Sequence, residues 1–135
     1  MAKSPVQLLV DGFKDRDVTF VTYTFEQATD NEGQMTGIPR GGKITVRVKA
    51  LNDGNAELLN WMLQKSMKKN GKISFENTAE EQNMKEVEFT GAYCVNYTEH
   101  WEDRETSGGL GHYEEITITC KTIKVGSVEY ANDWA

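Results

Sequence analysis

The 135-residue chain has little cysteine, proline or histidine, two of each, and no long apolar run. Each shortage narrows the possibilities. A membrane-crossing helix needs about 20 consecutive apolar residues, and no stretch reaches that length, so no membrane insertion is expected. The opening MAKSPVQLLVDG carries one lysine and a short apolar run ended by Asp11. That run is too short for the apolar region of a signal peptide. Synthesis and folding in the cytoplasm are expected, and export by a route without a cleaved signal stays open. Cys94 and Cys120 lie far apart, both inside strand-like patterns, with no C-x-x-C. Zinc and thioredoxin-like sites therefore lack support, and two buried or half-buried reduced thiols are expected. A basic excess is also missing. With 21 acidic and 15 basic residues the net charge is -6, which argues against a nucleic-acid binder.

Catalytic patterns are missing as well. His100 sits in EHWED and His112 beside SGGLG, without the i, i+4 pairing of a helical zinc site. Ser107 precedes two glycines but has no G-x-S-x-G around it. Glu99, Glu102, Asp103, Glu105, Glu114 and Glu115 lack the order of a calcium loop and read as a charged hairpin. No catalytic residue, metal ligand or cofactor site emerges, so the expectation is a protein that is not an enzyme.

What is present begins with GIPRGGKI at residues 37–44, which spells G-x-x-x-x-G-K. A phosphate-binding loop would next need a Ser or Thr and then a helix. Ile44 stands at the hydroxyl position. Ile44, Val46, Val48 and Ala50 alternate with Thr45, Arg47, Lys49 and Leu51, which is the period of a strand. The segment is therefore a loop entering a strand.

Strands are predicted at residues 6–10, 17–27, 43–51, 72–76, 85–99, 113–125 and 128–130. In the 85–99 strand, Val87, Phe89, Tyr93, Val95 and Tyr97 would share one face, with Gly91 a candidate bulge or bend. In the 113–125 strand, Ile116, Ile118 and Cys120 would face one way, and Ile123 and Val125 the other. One amphipathic helix of about four turns is predicted over residues 56–69. Asp53 or Asn55 would cap its start, and Asn70-Gly71 would end it. Lys65, Lys68, Lys69 and Lys72 would form a basic patch there, either a solvated helix end or a dock for an acidic surface. Six or seven antiparallel strands with one mid-chain helix predict a mainly β fold, a β-barrel with one flanking α-helix, as a single domain over residues 1–135. The long loop carries Met35, Ile38 and Pro39, apolar residues that need a surface to pack against.

Several segments match one family in order and spacing. They are DNEGQMTGIPRGGKITV, ELLNWM, GKISF, MKEVEFTGAYCVNYTE and ITITCKTIKVGSVEYANDW. Together they resemble the tube protein of the type VI secretion system, Hcp or TssD, in its Bacteroidota form; the region 102–111 is the least typical. The resemblance implies a homohexameric ring. Rings would stack into a hollow tube inside a contractile sheath, together with spike and baseplate proteins. The tube would carry effector proteins and be expelled from the cell. It also implies a ring-stacking loop made of Asp30, Asn31, Glu32, Gly33, Gln34, Met35, Thr36, Gly37, Ile38, Pro39, Arg40, Gly41 and Gly42. The helix, with Leu58, Trp61, Met62, Lys65, Lys68 and Lys69, is expected at the ring interface or the lumen. Two other readings compete. One is a tail-tube protein of a phage or related contractile injection machine. The other is a monomeric barrel with a roomy interior for a small apolar ligand. An enzyme built on the acidic loop is a third and weaker reading.

Overall fold

Val6–Val10 is the first strand, and it pairs antiparallel on both sides. The computed structural model describes residues 5–35, 37, 40–51, 53–64, 66–77, 82–103 and 111–132. Their strands are β1 (Val6–Val10), β2 (Arg16–Tyr23), β3 (Lys43–Lys49), β4 (Lys69–Asn77), β5 (Gln82–Trp101), β6 (His112–Thr119), β7 (Thr122–Val125) and β8 (Val128–Ala131). Helix α1 (Glu57–Leu63) lies between β3 and β4. The strand order is β4-β1-β2-β3-β6-β5-β7-β8, and a β4–β5 pairing closes the first six into a barrel. Closure gives those six strands neighbours on both sides and removes the exposed edges that invite aggregation.

The alternation read in β3 holds, with Ile44, Val46 and Val48 fully buried. Other strands keep an apolar face only by breaking their alternation. In β2 the register with β3 shifts between Val18 and Phe20. Val18 stays buried while Phe20 turns outward at 47% exposure. In β5, Val87 and Phe89 are buried, Gly91 takes φ +59°, and the buried positions become Ala92 and Cys94. A second irregularity between Cys94 and Asn96 leaves Val95 exposed and Tyr97 half-buried. The expected single row from Val87 through Tyr93 and Val95 is thus overturned. Each extra residue moves the following side chains to the other face.

The predicted strand over residues 113–125 is two strands. Its break at Lys121 lies against the Gly91 bend, where the Lys121 N–H donates to the Thr90 carbonyl at 3.0 Å. The parity change puts Ile123 in the same core as Ile116, Ile118 and Cys120. The predicted 17–27 strand stops at Tyr23, and Glu26 rejoins the sheet as a single bridge to Arg40.

The helix also differs from expectation, spanning 57–63 and not 56–69. Gln64 is already extended and Ser66 has φ +69°. From Lys69 the chain enters β4, which pairs with β1 and β5. Helical periodicity over KSMKK loses here to two strand ladders, because local propensity is weak against tertiary pairing. The cap itself differs from expectation: Ala56 takes the N-cap position without a side-chain cap bond, and Asn55 just before it accepts the Glu57 N–H at 3.0 Å in a turn. Leu58 and Trp61 are 1% exposed within the core. The Trp61 indole N–H donates to the Met67 carbonyl at 3.1 Å, and its ring meets Phe13 edge-on at 6.0 Å.

Candidate assembly surfaces

Strand direction alternates around the barrel, so its connections divide between two ends. The β1–β2 turn, α1 and the Trp101 end of β5 fall at one end. The β2–β3 loop falls at the other. Contacts at the helix end agree: the Lys14 N–H donates to the Glu57 carboxylate at 3.1 Å, and its ammonium pairs with Asp53 at 2.7 Å.

The β2–β3 loop is a two-armed projection with a defined base and turn. At the base, Glu26 and Arg40 exchange both backbone hydrogen bonds, at 3.0 and 2.7 Å. Further out, Thr29 bridges Met35. At the turn, one Asp30 carboxylate oxygen accepts the Glu32 and Gln34 N–H groups, both at 2.9 Å. The Gln34 carbonyl accepts the Asp30 N–H at 2.8 Å. Asp30 is thus the organising residue of the turn, by the side-chain-to-backbone bonding that suits Asp to turns. Asn31 and Glu32 lie exposed in that turn, Met35 is 70% exposed, and Gly37 is exposed on the return. Of the predicted loop residues, Thr36, Ile38 and Pro39 lie outside the described residues.

The double glycine of GIPRGGKI has a packing role. A Cβ on Gly41 would lie 2.1 Å from the Phe25 ring. Gly42 has φ +89°, and a Cβ there would lie 2.5 Å from the Asn132 amide nitrogen. Both neighbours occupy space that any larger residue would take.

The helix residues fare unevenly as surface. Leu58 and Trp61 point into the protomer's own core, Met62 is half-buried, and Leu63 is 68% exposed. The lysines do not share one helix face, because the helix ends before them. Lys65 lies outside the described residues. Lys68 sits 5.5 Å from the Tyr93 ring centroid, and Lys69 4.8 Å from that of Phe13. Lys72 pairs with Glu86 at 2.9 Å, and the hydrogen bond to that carboxylate raises its pKa.

A buried charge network near the helix end escaped sequence reasoning. Arg16 and Glu114, 2% and 3% exposed, pair at 2.5 Å. The Tyr97 hydroxyl donates to the other Glu114 oxygen at 2.5 Å, and Arg16 also donates to the Lys49 carbonyl at 2.8 Å. Burial, and then the Glu114 contact, push the Tyr97 hydroxyl pKa up. The charged-hairpin reading of Glu114 is overturned: it stands two residues before Ile116 on the inward face of β6, whereas Glu115 faces outward and pairs with Arg47.

Cys94 and Cys120 are free and buried. Burial pushes their thiol pKa values up from 9.0, to about 11 and about 12. Below pH 9 both folded and unfolded thiols hold their protons, and the contribution to stability is constant. Above it the unfolded chain releases protons that the folded chain retains, so stability falls as pH rises. At pH 10 the loss is about 1 kcal/mol per thiol. Urea midpoints should therefore drop between pH 8.5 and 10, and less steeply in Cys120→Ala. A flat profile would contradict the assignment.

The barrel interior is packed. Ile44, Val46, Val48, Ile73, Val87 and Ile118 are all 0% exposed in one core, so the roomy interior of a ligand-binding barrel is not there. Two clefts on the surface are open to solvent. One of about 520 Å³ includes Asp11, Asp15, Lys72 and Glu88. Another of about 320 Å³ lies at the loop base, by Thr22, Glu26, Arg40 and Lys43. No group of His, Cys, Asp or Glu among the described residues is arranged to hold a metal ion. No helix among them is long and apolar enough to cross a membrane.

A closed six-stranded barrel with a long projection at one end and a helix at the other is the architecture of tube-type barrel subunits. Hcp1 from Flavobacterium johnsoniae is similar at 31% identity and TM-score 0.85, over 94% of this chain and 98% of that one. Hcp1 from the E. coli EAEC 042 pathovar shares the fold at 14% identity and TM-score 0.74, covering 97% and 99%. So does a chain of the sheath–tube complex of the extracellular contractile injection system PVC, at 21% identity and TM-score 0.57, covering 91% and 88%. No curated protein matches. The family model of hemolysin coregulated protein Hcp (TssD) matches residues 3–135, and the chain belongs to that family. It is a structural tube subunit.

Proposed function

We propose that six copies form a ring and that rings stack head to tail into the hollow tube of a type VI secretion system. The observation that carries this reading, beyond family membership, is the placement of the projecting loop and the helix at opposite ends of one barrel. A ring is heterologous and closed, so each protomer uses two different patches sideways. Stacking then uses the ends: residues 30–42 of one ring reach the facing ring. Leu63 is the most exposed apolar side chain of α1 and is available for contacts between protomers, whereas Leu58, Trp61 and Met62 pack on the protomer's own core. The tube assembles in the cytoplasm within a contractile sheath on a baseplate. It leaves the cell with its spike and carries effectors in its lumen. The likeness to Flavobacterium Hcp1 at 31% identity favours this machine over an extracellular injection system, where the likeness is 21%.

Native mass measurement with negative-stain imaging tests the reading. Six-subunit open rings are the expected outcome, with roughly 1,000 Å² or more buried at each interface. A strict monomer at high micromolar concentration would defeat self-assembly as an intrinsic property of this chain.

A further inference from the structure

The base of the projecting loop is held by the C-terminal strand. The Asn132 amide nitrogen donates to the Gly41 carbonyl at 3.2 Å and to the Cys120 carbonyl at 2.8 Å. Its side-chain oxygen accepts the Tyr130 hydroxyl at 3.0 Å. A hydroxyl donor on the oxygen and two carbonyls on the nitrogen set the amide in one orientation. The Tyr130 ring meets Phe25 edge-on at 5.5 Å, and Phe25 fills the space beside Gly41. Phe25 enters the loop and Gly41 leaves it, so one cluster grips both arms. The Cys120 N–H donates to the Gly42 carbonyl at 2.7 Å, tying the return arm to the end of β6.

We propose that Asn132 is a positioning residue for ring stacking. With Tyr130 orienting it, it latches the base of the loop and so sets the direction in which the loop projects. The inference rests on the stacking reading above. The base carries the lever arm for a turn that ends at residues 30–34. A small change of angle at Gly41 and Gly42 displaces that turn, while the barrel ladder stays intact. Removing the amide frees the Gly41 carbonyl without touching β3. Asn132→Asp keeps the shape but turns a carboxylate toward two carbonyl oxygens.

The test uses the full chain as rings. Asn132→Ala, Asn132→Asp and Tyr130→Phe are compared with the parent and with a form in which residues 30–35 are replaced by a short Gly-Ser turn. Two readouts are taken: amide exchange at Glu26 and Arg40 against Val46 as reference, and the ring concentration at which rings stack. Exchange at Glu26 and Arg40 should quicken about tenfold in Asn132→Ala, which corresponds to about 1.4 kcal/mol of lost hydrogen bonding, with Val46 unchanged. Six-membered rings should persist while stacking shifts to about tenfold higher concentration. In the loop-replaced form Asn132→Ala should add nothing to the stacking defect. Unchanged exchange at Glu26 and Arg40, or quickening equal to that at Val46, overturns the latch. Unchanged stacking together with quickened exchange overturns the positioning role. Loop-replaced rings that stack like the parent overturn the stacking reading instead, and the exchange readout still decides the latch.

Discussion

Arg16→Ala should cost about 3–5 kcal/mol and lower the melting temperature by roughly 10–15 °C, the largest loss expected from one polar substitution. The reason is what it leaves behind. Glu114 is 3% exposed and would keep a charge in the core with only the Tyr97 hydroxyl facing it. The Lys49 carbonyl would lose its donor too. The charges cost several kcal/mol to desolvate, so the pair itself contributes little net stability. The triple replacement Arg16→Met, Glu114→Leu, Tyr97→Phe should therefore recover most of the loss. Thermal and urea melts of the single and triple variants decide it. A single variant that melts within 2 °C of the parent would show that the carboxylate escapes to solvent or is neutral.

Trp61→Ala should cost about 3–5 kcal/mol by leaving a cavity beside Phe13 and Leu58. It also removes the indole donor to the Met67 carbonyl, the contact that pins the chain as it turns from α1 toward β4. Leu63→Asp, two residues on, changes an exposed side chain and should leave the melt within about 0.5 kcal/mol of the parent. The two variants separate fold from assembly. Trp61→Ala should fail first in stability, and Leu63→Asp should show any effect in ring formation alone. A Trp61→Ala protein as stable as the parent would mean that the helix is not anchored by its core face.

Much of the fold was legible because it is written in short-range patterns. β3 shows unbroken alternation from Ile44 to Val48, and its pairing with β6 keeps that register without a shift. The same alternation dismissed the nucleotide-loop reading of GIPRGGKI. The helix start was legible from the turn bonds of Asp53 and Asn55, which are local, although Ala56 takes the cap position. The helix end was not, because β4 begins where two distant strands offer their backbone groups. Gly91 stood out as a break in β5, yet the sequence could not say that parity would flip there. That depends on Lys121, 30 positions later, which bonds back to Thr90 and Gly91. Strand parity puts Arg16 in step with Val18 and Glu114 in step with Ile116, but their pairing across 98 residues left no mark in the sequence.

The sequence by itself determined a barrel-forming alternation, one helix nucleus, a long loop ahead of β3, and membership of the tube family. These follow from side-chain period, backbone preference and local bonding, which act over a few residues. Only the tertiary structure decided that Arg16 and Tyr97 meet Glu114, where the helix yields to β4, and that loop and helix stand at opposite ends. It alone revealed that Asn132, at the far end of the chain, fills the gap left by Gly42. Those features depend on groups brought together by ladder closure, and closure brings together residues whose separation along the chain carries no pattern.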